Sequence, residues 1–158
     1  KALEDVRAGC LEKFWSLQQP TWLQEYLAIS ERLGRRDDSV LVLDQILQRA
    51  PQARSAAFIY GAPILLEEEA WDVASAYVPN ALDECRETLR IYDRTAGIFN
   101  IAGEERDRIL GLFEDKLVMV LLILRNSGRE AEVPPVLELL RQRLAAEAFE
   151  RVRTGGEA

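Results

Sequence analysis

Histidine is absent from this chain of 158 residues. That removes the side chain most often used as a general base near neutral pH, and the commonest metal ligand. A nucleophilic serine or cysteine would have no ordinary proton acceptor, and the Glu-x-x-His pairs of helical di-metal sites cannot be written. Carboxylate pairs such as Glu67/Glu68, Glu84/Glu87 and Glu104/Asp107 are left as solvated charge. Lysine is nearly missing as well, confined to Lys1, Lys13 and Lys116. The positive charge is therefore arginine, whose planar fork suits paired contacts and is read here as surface ion pairs. Cysteine occurs twice, at Cys10 and Cys85, each on an apolar helical stripe, which suggests two buried free thiols. No Cys-x-x-Cys pair offers zinc a site. Glycine and proline are scarce, at 9 and 6 residues, and the β-branched runs that would mark strands are missing.

These absences set the functional expectation: no enzyme, no cofactor and no metal. The segment GIFNIAG at 97–103 has neither the lysine nor the Ser/Thr of a phosphate-binding loop. Acidic residues outnumber basic ones by 27 to 20, a formal charge of −7. Nucleic-acid affinity comes from clustered cations, so no nucleic-acid partner is expected. No signal, spanning or lipidation motif is present, and two free-looking thiols favour the cytoplasm. The chain opens on Lys1 rather than methionine, which suggests processing or a longer parent.

What is abundant is Leu, Ala, Glu and Arg, all strong helix formers. The centre of the chain is 109–124, within which 117–124 is apolar at every position. A bilayer needs about 20 such residues, so no membrane insertion is expected. A helix apolar all round must be covered by others. The remaining periodicity predicts seven or eight helices with short links in one domain over 1–152, and a flexible tail at 153–158. A first helix runs from about 2 to 18 on Leu3, Val6, Cys10, Phe14 and Leu17. Thr21 caps a second, with inner face Leu23, Tyr26, Leu27, Ser30 and Leu33, ended by Gly34. Asp37 or Asp38 caps a third, which stops before Pro51. Pro63 either kinks one helix or starts a new one after a break near Tyr60; the second reading is preferred because proline lacks the amide and clashes with the preceding turn. Asn80 caps the next helix. Ile98, Phe99 and Ile101 load the following loop with apolar side chains, either tucked under the core or forming a sticky patch. One last helix starts at Pro134-Pro135 and carries Val136, Leu137, Leu140, Leu144 and Ala148 inward.

The hairpin at 21–51 resembles a tetratricopeptide repeat. Leu23, Tyr26, Gly34, Ser39, Leu43 and Pro51 stand at that pattern's apolar, turn, small, large and closing-proline positions. Leu27, Ser30 and Ile46 depart from it, putting large groups where small ones let the helices approach, or the reverse. A second, looser match spans 117–145, with Gly128 at the turn. The resemblance implies an all-α protein of antiparallel helical hairpins, stacked as a TPR-like right-handed α-solenoid fragment; a compact irregular helical bundle is the alternative. It also implies a non-catalytic interaction module, whose first helices line a groove for a peptide or helical segment of a protein partner. The groove positions would be Thr21, Gln24, Ala28 and Glu31 in the clearer hairpin, and Asp115, Val118, Leu122 and Arg125 in the later one. The basic and asparagine residues by which some members clamp a terminal carboxylate are not there. Two other readings remain open. One is a homo-oligomerisation domain, giving a homodimer through 117–124 and Ile98/Phe99/Ile101. The other is a helical small-molecule binder with a pocket at the Pro63 break, beside Tyr60, Trp71 or Tyr92.

Overall fold

A computed structural model describes residues 2–96 and 103–157, and among these there are nine α-helices, two short 3-10 turns and no strand. The chain divides into two compact units, residues 1–80 and 81–158. The expected tail at 153–158 is in part helical.

The first unit holds α1 (Ala2–Leu17), α2 (Pro20–Arg32), α3 (Arg36–Arg49), α4 (Arg54–Glu67) and α5 (Trp71–Ala76). α1 packs most extensively on α2, and α3 on α4, while α2 also touches α4 and α3 touches α5. Phe14, Leu23, Leu43, Ile46, Phe58, Leu65 and Tyr77 are fully buried at its centre. Of the expected α1 stripe, Cys10 and Phe14 are buried, whereas Val6 and Leu17 are more than half exposed. The second unit holds most of α6 (Val78–Ala96), with α7 (Gly103–Asn126), α8 (Val133–Arg143) and α9 (Ala146–Gly155). The run 117–124 lies in α7, where Leu117, Val120, Leu121, Ile123 and Leu124 are buried; α8 and α9 both pack on this helix.

Three helices end alike. At the close of α2, Gly34 takes a left-handed conformation with φ +68°, and the Arg35 amide donates back to the Ser30 carbonyl at 2.8 Å. At the close of α4, Glu69 has φ +50° and the Ala70 amide reaches the Leu65 carbonyl at 2.9 Å. At the close of α7, Gly128 has φ +73° and the Arg129 amide reaches the Leu124 carbonyl at 3.1 Å. Each satisfies carbonyls that a helix end leaves without partners. Burial keeps the same register. Leu23, Tyr26, Leu27 and Ser30 of α2 are matched by Phe58, Gly61, Ala62 and Leu65 of α4, a shift of 35 from Gly34 to Glu69. The same four are matched by Leu117, Val120, Leu121 and Leu124 of α7, a shift of 94 from Gly34 to Gly128. The residues that follow agree in burial: Ser39, Val42 and Ile46 of α3 correspond to Ala74 of α5, Tyr77 at its C-cap and Ala81 of α6, and to Val133, Val136 and Leu140 of α8.

Several boundaries differ from the sequence reading. Gln19 is the N-cap of α2 and Pro20 its first residue, because proline there gives up an amide that has no partner anyway; Thr21 is thus inside the helix and does not cap it. α3 starts at Arg36, directly after the Gly34 turn, so Asp37 and Asp38 lie in its first turn instead of capping it. Asp38 accepts hydrogen bonds from Arg7 and Arg35. α6 starts at Val78, placing Pro79 in the first turn and Asn80 within the helix. α4 runs through Pro63 without a break, correcting the preferred reading. The carbonyl at i−4 belongs to Ile59, and both residues are exposed, so water can serve the bond that the ring removes. Finally, the C-terminal helix is two: Leu144 and Ala145 are extended, with ψ 150° and 153°, and α9 turns back onto α7 and α8. Leu144 and Ala148 are buried as expected, and their four-residue spacing gave no sign of the bend.

Candidate groove between α2 and α4

Outward positions of α2 and α4 face each other across a groove of about 340 Å³. Gln24, Leu27, Ala28 and Glu31 line one side and Tyr60, Pro63, Ile64 and Glu67 the other. The floor is apolar where Leu27 and Ala28 oppose Pro63 and Ile64. Leu23, Tyr26, Leu27 and Ser30 turn into the unit, and at 3.6 residues per turn residues 24, 28 and 31 stand on the flank next to that stripe, with Leu27 at the edge shared by both.

One end is ionic. Arg36, the first residue of α3, donates from Nε to Glu31 Oε2 at 2.7 Å and lies 2.7 Å from Glu67 and 3.8 Å from Glu68. It thereby ties the last turn of α2 to the last turn of α4. The hydrogen bonds from Arg36 hold the Glu31 carboxyl below the usual range, and Arg36 itself is held still more firmly protonated by Glu31. Three carboxylates thus meet one guanidinium, and Asp37 joins Glu31 and Glu68 around the adjoining depression.

A second ion cluster pins α1 to α2 and α3. The Arg7 side chain, 11 % exposed, donates to Asp38 at 3.1 Å, Glu4 at 3.2 Å, Tyr26 Oη at 3.3 Å and Ser30 Oγ at 3.4 Å. Burial would raise the Asp38 carboxyl, but hydrogen bonds from Arg7 and Arg35 outweigh it and leave the group below its ordinary value.

The structure therefore brings Gln24, Ala28 and Glu31 together in one groove. Thr21 is exposed on the same helix but outside the groove. Val118 is half-buried beneath α9, since a Cβ on Gly155 would meet its Cγ2 at 3.0 Å. Leu122 and Arg125 are half-buried too, and Asp115 is exposed. Ile98, Phe99 and Ile101 lie outside the described residues. The sequence alone does not join Tyr60, Pro63, Ile64 and Glu67 into one wall with Arg36 at its end; the signal is the burial register 35 residues on from α2, hidden because Glu69 stands at the turn position that Gly34 holds. Of the residues that the small-molecule reading sets around Pro63, Tyr60 and Pro63 itself line this groove, whereas Trp71 and Tyr92 do not.

In the second unit a smaller groove of about 270 Å³ lies between Leu82, Cys85 and Arg86 of α6 and Pro135, Val136 and Leu139 of α8. Both cysteines are free and buried. Burial pushes the Cys85 thiol up to about 11, which keeps it protonated and a poor nucleophile at neutral pH. Among the described residues no three His, Cys, Asp or Glu side chains cluster to hold a metal. No described helix is long and apolar enough to cross a membrane. Comparison with protein-family models, curated proteins and solved structures finds no match to this chain.

Proposed function

We propose that this chain is a non-catalytic interaction module, a TPR-like α-solenoid segment whose first helices hold a peptide or helical segment of a partner protein. One observation carries the reading. Gln24, Ala28 and Glu31, the positions that a repeat hairpin turns toward its groove, line a real groove with Tyr60, Ile64 and Glu67 of the next hairpin. Two further features support it. The burial register recurs at shifts of 35 and 94 with the same left-handed helix ends. Contacts of α2 with α4 and of α3 with α5 support a reading as two layers of stacked hairpins, in which units touch their neighbours.

The test is selection of a displayed library of random twelve-residue peptides on the intact chain, followed by NMR shift mapping of enriched peptides. The expected result is enrichment, with shifts centred on Gln24, Ala28, Tyr60 and Ile64. Absence of any enriched peptide, or shifts confined elsewhere, would refute the reading.

A further inference from the structure

We infer that the α2–α4 groove selects a cationic segment, one that seats an apolar side chain on Leu27, Ala28 and Ile64 and lays Lys or Arg along the Glu31–Glu67 end. This rests on the interaction-module reading and specifies its partner.

The charge balance at that end is one-sided. Arg36 is the guanidinium among Glu31, Asp37, Glu67 and Glu68, and it is already shared between three of them. Glu67 remains 59 % exposed and Glu68 38 % exposed, so both present carboxylate oxygens to an incoming group. The tyrosine and glutamine at the other end, Tyr60 and Gln24, are indifferent to charge. An acidic segment would meet repulsion at one end and find no free cation in the lining; a purely polar one would leave the apolar floor wet. A second copy of this chain is a poor occupant, because its net charge of −7 repels itself.

The experiment sequences the peptides enriched in that selection and measures labelled examples by fluorescence polarisation. The probes are three synthetic pools of twelve-residue peptides: Leu or Phe anchors flanked by Lys/Arg, the same anchors flanked by Asp/Glu, and Lys/Arg flanks with Ser in place of the anchors. The first pool is expected to bind at least about tenfold tighter than either other, and to weaken severalfold as salt shortens the Debye length from about 10 Å at 0.1 M toward about 3 Å at 1 M. Glu67→Lys and Ala28→Arg, both at exposed positions, should each cost about tenfold, with circular dichroism showing the fold retained. Enriched peptides that are neutral or acidic overturn the inference while leaving the interaction module standing. Cationic peptides that bind Ala28→Arg as tightly as the parent also overturn it, since attraction to the acidic surface at large would suffice. If nothing of any charge is enriched, the broader reading fails first.

Discussion

Gly34 and Glu69 hold the same backbone position at the ends of α2 and α4, with φ of +68° and +50°. Glycine adopts that conformation freely, whereas a residue with a Cβ is strained by roughly 1–2 kcal/mol. Nothing crowds position 34, where a Cβ would meet no atom within 4 Å, so the difference between the two sites is backbone strain.

Glu69→Gly should therefore stabilise the chain by about 1 kcal/mol, after allowing for the extra freedom glycine gives the unfolded state. Gly34→Ala and Gly128→Ala should destabilise it by a similar amount. Urea unfolding followed by circular dichroism reads both. A fall in midpoint for Glu69→Gly would show that its side chain contributes more than its strain costs.

The same pair explains how far the recurring helix ends and burial register were legible. Two of the three hairpins carry glycine at the turn and were visible as patterns at 21–51 and 117–145. The middle one carries Glu69 at the turn and Pro63 within its first helix, two residues that each argue against a helix–turn–helix when taken locally. Tertiary burial of Phe58, Ala62 and Leu65 overrides them. All-α character was legible because the 3.6-residue period persists through the chain. The bend at Leu144 was not, because apolar spacing continues across it. The groove was half legible: the α2 positions are those that the tetratricopeptide-like pattern at 21–51 implies, but the α4 wall needs the register between helices.

Leu43 of α3 packs against the bare Cα of Gly61 on α4. A Cβ at position 61 would lie 2.5 Å from Leu43 Cδ2, and Leu43 is fully buried, with little room to turn. Overpacking of this kind costs about 1–3 kcal/mol, against which the better helix propensity of alanine returns up to about 1 kcal/mol. Gly61→Ala should thus be destabilising on balance. Leu43→Ala alone should cost about 2–5 kcal/mol, and the double variant should be clearly less damaged than the sum, since residues in contact do not add. Strict additivity in a double-mutant cycle would disprove the contact.

Asp38 sets an acid limit on the junction of α1, α2 and α3. Its carboxyl, ordinarily at 3.8, is lowered in the fold: burial opposes this, and the hydrogen bonds from Arg7 and Arg35 prevail. A depressed carboxyl contributes stability that is complete above its unfolded value and is lost as pH falls through the folded one. Stability should accordingly decline as pH drops below about 4, and Asp38→Asn should flatten that decline while lowering stability at pH 7. Unfolding midpoints measured from pH 7 down to pH 2 decide it. A variant whose acid slope equals the parent's would assign the slope to other carboxylates.

Gly156 separates a docked C-terminus from a fraying one. The composition of 153–158 suggests fraying, yet α9 continues to Gly155 and Gly156 is buried. A Cβ on Gly156 would stand 2.7 Å from Leu121 Cβ, an atom close to the backbone of α7 that cannot swing aside. If the terminus is docked, Gly156→Ala should cost about 1–3 kcal/mol by forcing α9 away from α7, and amides of Val152 and Arg153 should lose hydrogen-exchange protection. If it frays, the substitution should be silent, because a mobile end meets nothing. Since φ at Gly156 is −78°, alanine fits the backbone without strain, and any loss of stability reports the contact with Leu121 alone.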